Sequence, residues 1–285
     1  MSTQAERAGA FAALHRPGVP LLLPNAWDAA SAALIARAGA AAIATTSAGV
    51  AWSLGLADGG SLGAERCATV VERVVAVVDD LPVSADVEDG YGVEPQAVAA
   101  TVTAVVRAGA VGVNIEDRPG RDGATLYTPD EQAERIAAVR TAADGLGVPV
   151  WINARTDTYL AAVGPEEGRL TETLERAAAY AAAGADSLFV PGIADLDTIA
   201  ELVAGPLPLN VMVWAGAPSV SELAEVGVCR ISLGSAVAQA AYAQVVRVTK
   251  ELLVVGTYDI TAAGLDYTDL NALLSGASGS LGLSD

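Results

Sequence analysis

The chain has 285 residues with 16 Lys+Arg against 34 Asp+Glu, a formal net charge of −18 at pH 7, which argues against nucleic acid or an anionic membrane surface as a partner. A small anionic substrate would need a local metal or arginine to overcome that field. The length suits one large α/β domain or two small ones, and residues 1–10 show no basic segment leading into an apolar core, so no cleaved leader is expected and the cytoplasm is the expected location.

In chain order, eight short apolar runs are predicted strands: Val19–Leu23, Ala40–Thr45, Val83–Val87, Val111–Ile115, Val148–Asn153, Ser187–Val190, Leu209–Val213 and Cys229–Leu233. Between them, Ala29–Ala38, Ala64–Val78, Gln96–Arg107, Asp130–Ala143, Thr171–Ala183 and Ser219–Glu225 carry apolar residues at helical spacing. Arg-Ala-Gly-Ala recurs at 37–40 and 107–110, and Ala-Ala-Gly-Ala at 182–185. A helix that stops on glycine and turns straight into a buried strand is what a repeated β/α unit requires. Near-continuous Val/Ile/Leu runs indicate strands covered on both faces, as in parallel sheets. Eight such units predict a (β/α)₈ TIM-type barrel over residues 1–255. A doubly wound sheet is the alternative, and the first strand lacks its G-x-G-x-x-G turn. A long helix after Ser235, to about Val254, and an amphipathic stretch at Ile260–Leu274 precede a Gly/Ser-rich end, so residues 256–285 read as a C-terminal helix and tail. That helix has no strand to cover, which predicts a homo-oligomer.

The chemistry concentrates in Asp86-Val87-Glu88-Asp89-Gly90-Tyr91-Gly92 and Asn114-Ile115-Glu116-Asp117, both at the ends of β-branched runs. Alternation along a strand turns Asp86 and Glu88 to one side, where Glu116 can join them. Three carboxylates in one pocket repel each other, and a Mg²⁺ that keeps some of its waters makes the arrangement tolerable, with Mn²⁺ as a substitute. The plainer alternative is that these acids mark turns and face water. A barrel would also bring Asn25, Thr46, Ser47, Arg155, Pro191, Asn210 and Ser232 to the same end. Arg155 is costly to bury without an anion, either a substrate carboxylate or a structural partner such as Asp157. His15 is expected to cap a helix end or face solvent, Cys67 and Cys229 to be buried thiols, and Trp52 and Trp214 to line the mouth or pack in the core.

These segments, with Pro24-Asn25-Ala26-Trp27-Asp28, residues 53–58, Asn153-Ala154-Arg155-Thr156-Asp157 and residues 184–189, resemble in order and spacing the isocitrate lyase/phosphoenolpyruvate mutase superfamily over residues 20–240. The resemblance implies a (β/α)₈ barrel, commonly with its last helix swapped between subunits of a dimer or dimer of dimers, and Mg²⁺ holding a 2-oxo or 2-hydroxy acid. It also implies residue roles: Asp86, Glu88 and Glu116 in the metal shell; Thr46, Ser47 and Ala48 as donors to the substrate; Asp58 beside the metal waters; Arg155 as carboxylate clamp; Asn25 and Asn210 facing the substrate. Two departures stand out. Residues 118–127 contain no Cys, Lys or His, unlike the Lys-(Lys/Arg)-Cys-Gly-His loop of isocitrate-type and methylisocitrate-type lyases, and Pro191 stands where the mutase pattern places His. The implied activity is therefore a Mg²⁺-dependent lyase acting on a small 2-oxo or 2-hydroxy di- or tricarboxylate through a pyruvate-type enolate. Asp58, Tyr91 or Tyr127 would handle the proton. P–C bond chemistry on a phosphonopyruvate-like compound and a non-catalytic metabolite-binding barrel are the alternatives.

Overall fold

The computed structural model describes residues 2–59, 62–120 and 125–275. Nine strands lie in one all-parallel sheet: β1 (Leu21–Leu23), β2 (Asn25–Ala26), β3 (Ile43–Thr45), β4 (Val83–Asp86), β5 (Gly112–Glu116), β6 (Trp151–Arg155), β7 (Ser187–Val190), β8 (Leu209–Met212) and β9 (Arg230–Ser232). The order β1-β9-β8-β7-β6-β5-β4-β3-β2 leaves β1 and β2 at the two ends, joined only through Pro24. The sheet thus curls into a barrel whose first staves are one kinked strand. Proline has no N–H for the ladder, so the chain bonds β9 before it and β3 after it, and the first run expected from sequence, Val19–Leu23, holds only β1.

Each stave feeds a helix: α2 (Ala29–Arg37), the short α3 (Ser47–Ser53) with α4 (Ala64–Val77), α5 (Pro95–Arg107), α6 (Pro129–Gly145), α7 (Glu166–Ala182), α8 (Leu196–Val203), α9 (Val220–Glu225) and α10 (Ala236–Lys250). Gly39, Gly109 and Gly184 of the repeated phrases all have left-handed φ, 97°, 107° and 98°, and let the chain leave α2, α5 and α7 and enter the next strand at once. Strands β3 to β7 are buried at nearly every position, which is why they read as continuous apolar runs.

Helix α1 (Gln4–Ala13), which precedes the first strand, closes the N-terminal end of the barrel. A Thr3/Glu6 capping box starts it and its Phe11 is fully buried. A Cβ at Gly112 would stand 2.7 Å from the Phe11 ring, so glycine there admits the plug. His15 caps the end of α1 without facing water: it is buried, stacked on Trp151 with ring centroids 4.1 Å apart, and its Nδ1 donates to the Phe11 carbonyl in the last turn at 2.9 Å.

Beyond α10 the chain makes one wide π-helical turn, Glu251–Val255, a 3₁₀ turn, Asp259–Ala263, and α11 (Tyr267–Leu274). Residues 276–285, the expected tail, lie outside the described residues.

Candidate active site

A cavity of about 220 Å³ opens at the C-terminal ends of the strands, where a parallel barrel presents its variable loops. Its polar side is formed by Asn25, Thr46, Ser47, Asp58, Asp86 and Asn114, with Arg155 next in line; Ala48, Ser232 and Ser235 complete it. The volume lies below the ~300–1,000 Å³ of drug-sized sites, so it suits a small acid.

Asp86 is the last residue of β4 and is buried. Its backbone N–H donates to Thr45 Oγ1 at 2.9 Å, and its Oδ2 accepts from the Ser47 N–H at 2.9 Å. The first peptide of α3 therefore fixes the carboxylate. Asn25 is tied from both ends, donating to the Thr45 carbonyl and accepting from the Leu233 N–H. Glu88 does not share the cavity wall, because β4 stops at Asp86 and Glu88 adopts a left-handed φ of 52°, which breaks the alternation assumed from sequence. Its carboxylate is buried, within electrostatic reach of Cys67 and Tyr91. Burial is the main reason that the Cys67 thiol is pushed up to about 12, so both cysteines are inert buried thiols as expected.

Glu116 and Arg155 end neighbouring strands in register. Arg155 Nη1 reaches Glu116 Oε2 at 2.6 Å, while Nε and Nη2 grip both oxygens of Asp157 at 2.6 and 3.0 Å. Burial opposes the guanidinium charge, yet Glu116 and Asp157 outweigh it and lift the pKa above the ordinary arginine value. The structural ion pair and the open cavity wall are thus both real: one hydrogen on Nη1 and one on Nη2 remain beyond these three bonds. Glu116 itself stands behind the wall, engaged with Arg155.

Asp117, next in sequence, turns the other way. It is fully buried and accepts from Arg176 Nη1 at 3.0 Å, Tyr180 Oη at 2.8 Å and the Asp157 N–H at 3.1 Å. It knits α7 to the strand ends, and burial raises its pKa despite Arg176.

Other expected residues lie away from the cavity. Tyr91 has its hydroxyl buried near Cys67, and desolvation drives its pKa far up. Tyr127 stacks on the Arg135 guanidinium, 4.2 Å from its ring centre, and lines a separate 180 Å³ hollow. Residues 121–124 of the intervening loop lie outside the described residues. Asn210 is locked in the barrel interior, donating to the Val211 carbonyl and Ser232 Oγ and accepting from Asn153. Pro191, Trp52 and Trp214 are not on the wall, and Trp214 is 42% exposed. The wall instead contains Leu160, Phe189, Met212 and Gly234. Phe189 was discoverable: Ser187 bonds Asn153 inside the barrel, so two residues on must also face inward.

An all-oxygen set at the cavity, Asp58 and Asp86, fits a hard divalent cation. Among the described residues no group of three or more His, Cys, Asp or Glu side chains converges to hold a metal, so such an ion would keep much of its water, as Mg²⁺ does.

No helix among the described residues is long and apolar enough to cross a membrane. The family model for phosphoenolpyruvate phosphomutase matches residues 11–253. The chain is 34% identical to 2-methylisocitrate lyase of Escherichia coli (strain K12) over 226 residues, 72% of this chain and 73% of the relative. A solved structure from Burkholderia cenocepacia J2315, provisionally named a lyase/mutase, is 42% identical, with TM-score 0.87 over 95% of this chain and 97% of the other. That of 2,3-dimethylmalate lyase is 28% identical, with TM-score 0.82 over 96% and 95%. A parallel barrel with its acids and one arginine at the strand ends, matched over nearly its whole length, makes this chain a member of the isocitrate lyase/phosphoenolpyruvate mutase superfamily of lyases and mutases.

Proposed function

We propose that the chain is a Mg²⁺-dependent lyase, Mn²⁺ substituting, for a small 2-oxo or 2-hydroxy di- or tricarboxylate: it breaks the C3–carboxylate bond of a 2-oxo acid, releasing CO₂ and leaving a pyruvate-type enolate, or, once the hydroxyl proton is taken, the C2–C3 bond of a 2-hydroxy acid, releasing a 2-oxo acid and leaving the enolate of the second carboxylate. The observation that carries this reading is the pairing, on one small cavity, of two carboxylates with an arginine held as a cation. Asp86 and Asp58 would hold the ion, Asp86 directly and Asp58 through waters. The ion would supply Lewis-acid stabilisation of the developing negative charge. Arg155 presents its remaining Nη hydrogens to the substrate carboxylate, and Glu116 and Asp157 keep the fork from turning. Ser47 aims Asp86, and Thr46 places a hydroxyl beside it. Proton return at C3 falls to a water held by Asp58, since Tyr91 and Tyr127 do not line the cavity.

The absence of a Cys-bearing motif from residues 118–127 sets this chain apart from the 2-methylisocitrate lyase pattern. Pyruvate release from a panel of oxaloacetate, substituted malates and phosphonopyruvate, with Mg²⁺ or EDTA, tests the reading. Release that EDTA abolishes and that Asp86→Asn lowers by about 10²–10³-fold supports it. Phosphate release from phosphonopyruvate alone would replace it with P–C chemistry, and binding without turnover with a metabolite-binding barrel.

The assembly that fits the surface is a dimer or dimer of dimers exchanging the C-terminal helix. Val245, Leu253, Val254 and Val255 are 61%, 77%, 82% and 69% exposed, and an apolar groove of about 510 Å³ beside β1, including Leu22 and Ile35, matches them in character. Light scattering of the intact chain at a monomer mass would remove this assembly.

A further inference from the structure

Resting on that reading, we infer that Asn114 is a further catalytic residue, whose Nδ2 donates a hydrogen bond to the substrate oxygen on C2 as negative charge gathers there. An asparagine amide can face either way, so its direction has to follow from neighbours that have no choice. Two such neighbours are present. Trp151 Nε1, a donor only, bonds Ser187 Oγ at 2.8 Å. The hydroxyl then gives its one hydrogen to Asn153 Oδ1 at 2.6 Å, which turns Asn153 Nδ2 toward Asn114 Oδ1 at 2.6 Å and Asn210 Oδ1 at 3.3 Å. Arg230 Nη2, also a donor only, meets the same Asn114 oxygen from another side at 3.3 Å. Asn153 holds the amide through the shorter bond, and the longer bond from Arg230 agrees with that orientation without being needed for it.

Asn114 thus spends its oxygen inside the barrel and keeps both hydrogens of Nδ2, which bonds nothing among the described residues. The side chain is buried and lines the cavity, so these hydrogens are donors on a wall that has already been oriented before a ligand arrives. Donors fixed in this way cost no reorganisation when charge develops opposite them. In the ladder Asn114 pairs with Asp86, which places its donor on the Asp86 side of the cavity and leaves the substrate carboxylate to Arg155. Both routes of the reading put negative charge on the C2 oxygen: as an enolate oxygen when a 2-oxo acid loses CO₂, and as an alkoxide when a 2-hydroxy acid has given up its proton. A hydrogen bond to that oxygen strengthens as it becomes charged, so Asn114 favours the reacting state over the bound ground state.

Calorimetric titration of the full chain in Mg²⁺ with two probes tests the donor. Oxalate presents a charged oxygen where the enolate has one, whereas the C2 oxygen of pyruvate is uncharged. Asn114→Ala is expected to weaken oxalate by about 10–100-fold, the worth of a hydrogen bond to a charged oxygen, and pyruvate by several-fold less. A second measurement needs no altered wall: in the native chain, oxalate should shift the side-chain amide resonances of Asn114 in a nitrogen–proton spectrum. They are identified by their loss in Asn114→Asp, which keeps an oxygen for Asn153 and Arg230. Equal losses for the two probes, or unmoved resonances with oxalate bound, overturn the donor and leave the lyase reading standing. Failure of the native chain to bind either probe in Mg²⁺ overturns both.

Discussion

Four arginines are buried among the described residues, and two of them, Arg155 and Arg230, stand at opposite ends of the barrel in opposite surroundings. Arg155, at the C-terminal end, holds Glu116 and Asp157 and is kept firmly charged. Arg230, at the start of β9 over the α1 plug, bonds no carboxylate among the described residues: Nη2 donates to Asn114 Oδ1 at 3.3 Å and the guanidinium lies 5.9 Å from the Phe11 ring centre. Its Nε and Nη1 have no hydrogen-bond partner among the described residues. Desolvation lowers it to about 9, with only the field of Asp86 opposing. The difference teaches that burial does not make an arginine functional. An arginine framed by carboxylates beside an open cavity is oriented and charged for an anion; one packed on aromatic rings is part of the closure of the barrel.

The sharpest way to break this comparison is Arg155→Lys. Lysine keeps the charge but cannot serve Asp157, Glu116 and a substrate with one planar fork. A fall of about 10²–10³-fold in kcat/KM for Mg²⁺-dependent turnover is expected, corresponding to about 3–4 kcal/mol, with the protein still folded by circular dichroism. Unchanged turnover would reduce Arg155 to an ion pair like that of Arg176 with Asp117.

Most of the barrel was legible in the sequence because its signals are local. Apolar runs of strand length and glycines closing helices before strands depend on neighbours in the chain, and Gly39, Gly109 and Gly184 do what their repeats suggest. The cavity was legible only where strand and alternation both persist. Asp86 and Arg155 end strands and stand where expected. Glu88 lies past the end of β4, where φ turns positive, and no alternation rule applies to it. Glu116 is diverted by Arg155 itself, its register partner on the next strand. His15 caps its helix as its position suggests, but its burial against Trp151 is a long-range contact that the Pro-Gly turn beside it does not disclose.

A smaller effect tests the lower end. His15 sits between Phe11 and Trp151, and desolvation, helped by nearby Arg230, lowers its pKa from 6.5 to about 3. Between those values the unfolded chain binds a proton that the folded chain refuses. Stability is therefore full above pH 6.5 and is lost as pH falls toward 3. From pH 7 to pH 5 the loss from this residue is about 2 kcal/mol, at ~1.4 kcal/mol per pH unit below 6.5. Urea midpoints at the two pH values would record it, and His15→Gln should flatten the difference. An unchanged slope in the variant would mean that His15 takes up its proton in the folded barrel.

The smallest effect is expected where the comparison is most counterintuitive, at Arg230. Replacing a buried, carboxylate-free cation by an apolar side chain of similar length removes a desolvation cost along with one long hydrogen bond. Methionine also offers sulfur to the Phe11 ring. Arg230→Met should therefore shift unfolding stability by less than about 1 kcal/mol and leave Mg²⁺-dependent turnover unaltered, whereas Arg155→Met should abolish turnover. A loss above about 3 kcal/mol in Arg230→Met would show instead that the field of Asp86, reaching down the barrel axis, holds the second arginine in place. The two ends of the barrel would then be one electrostatic unit, and the plug would be coupled to the acids at the mouth.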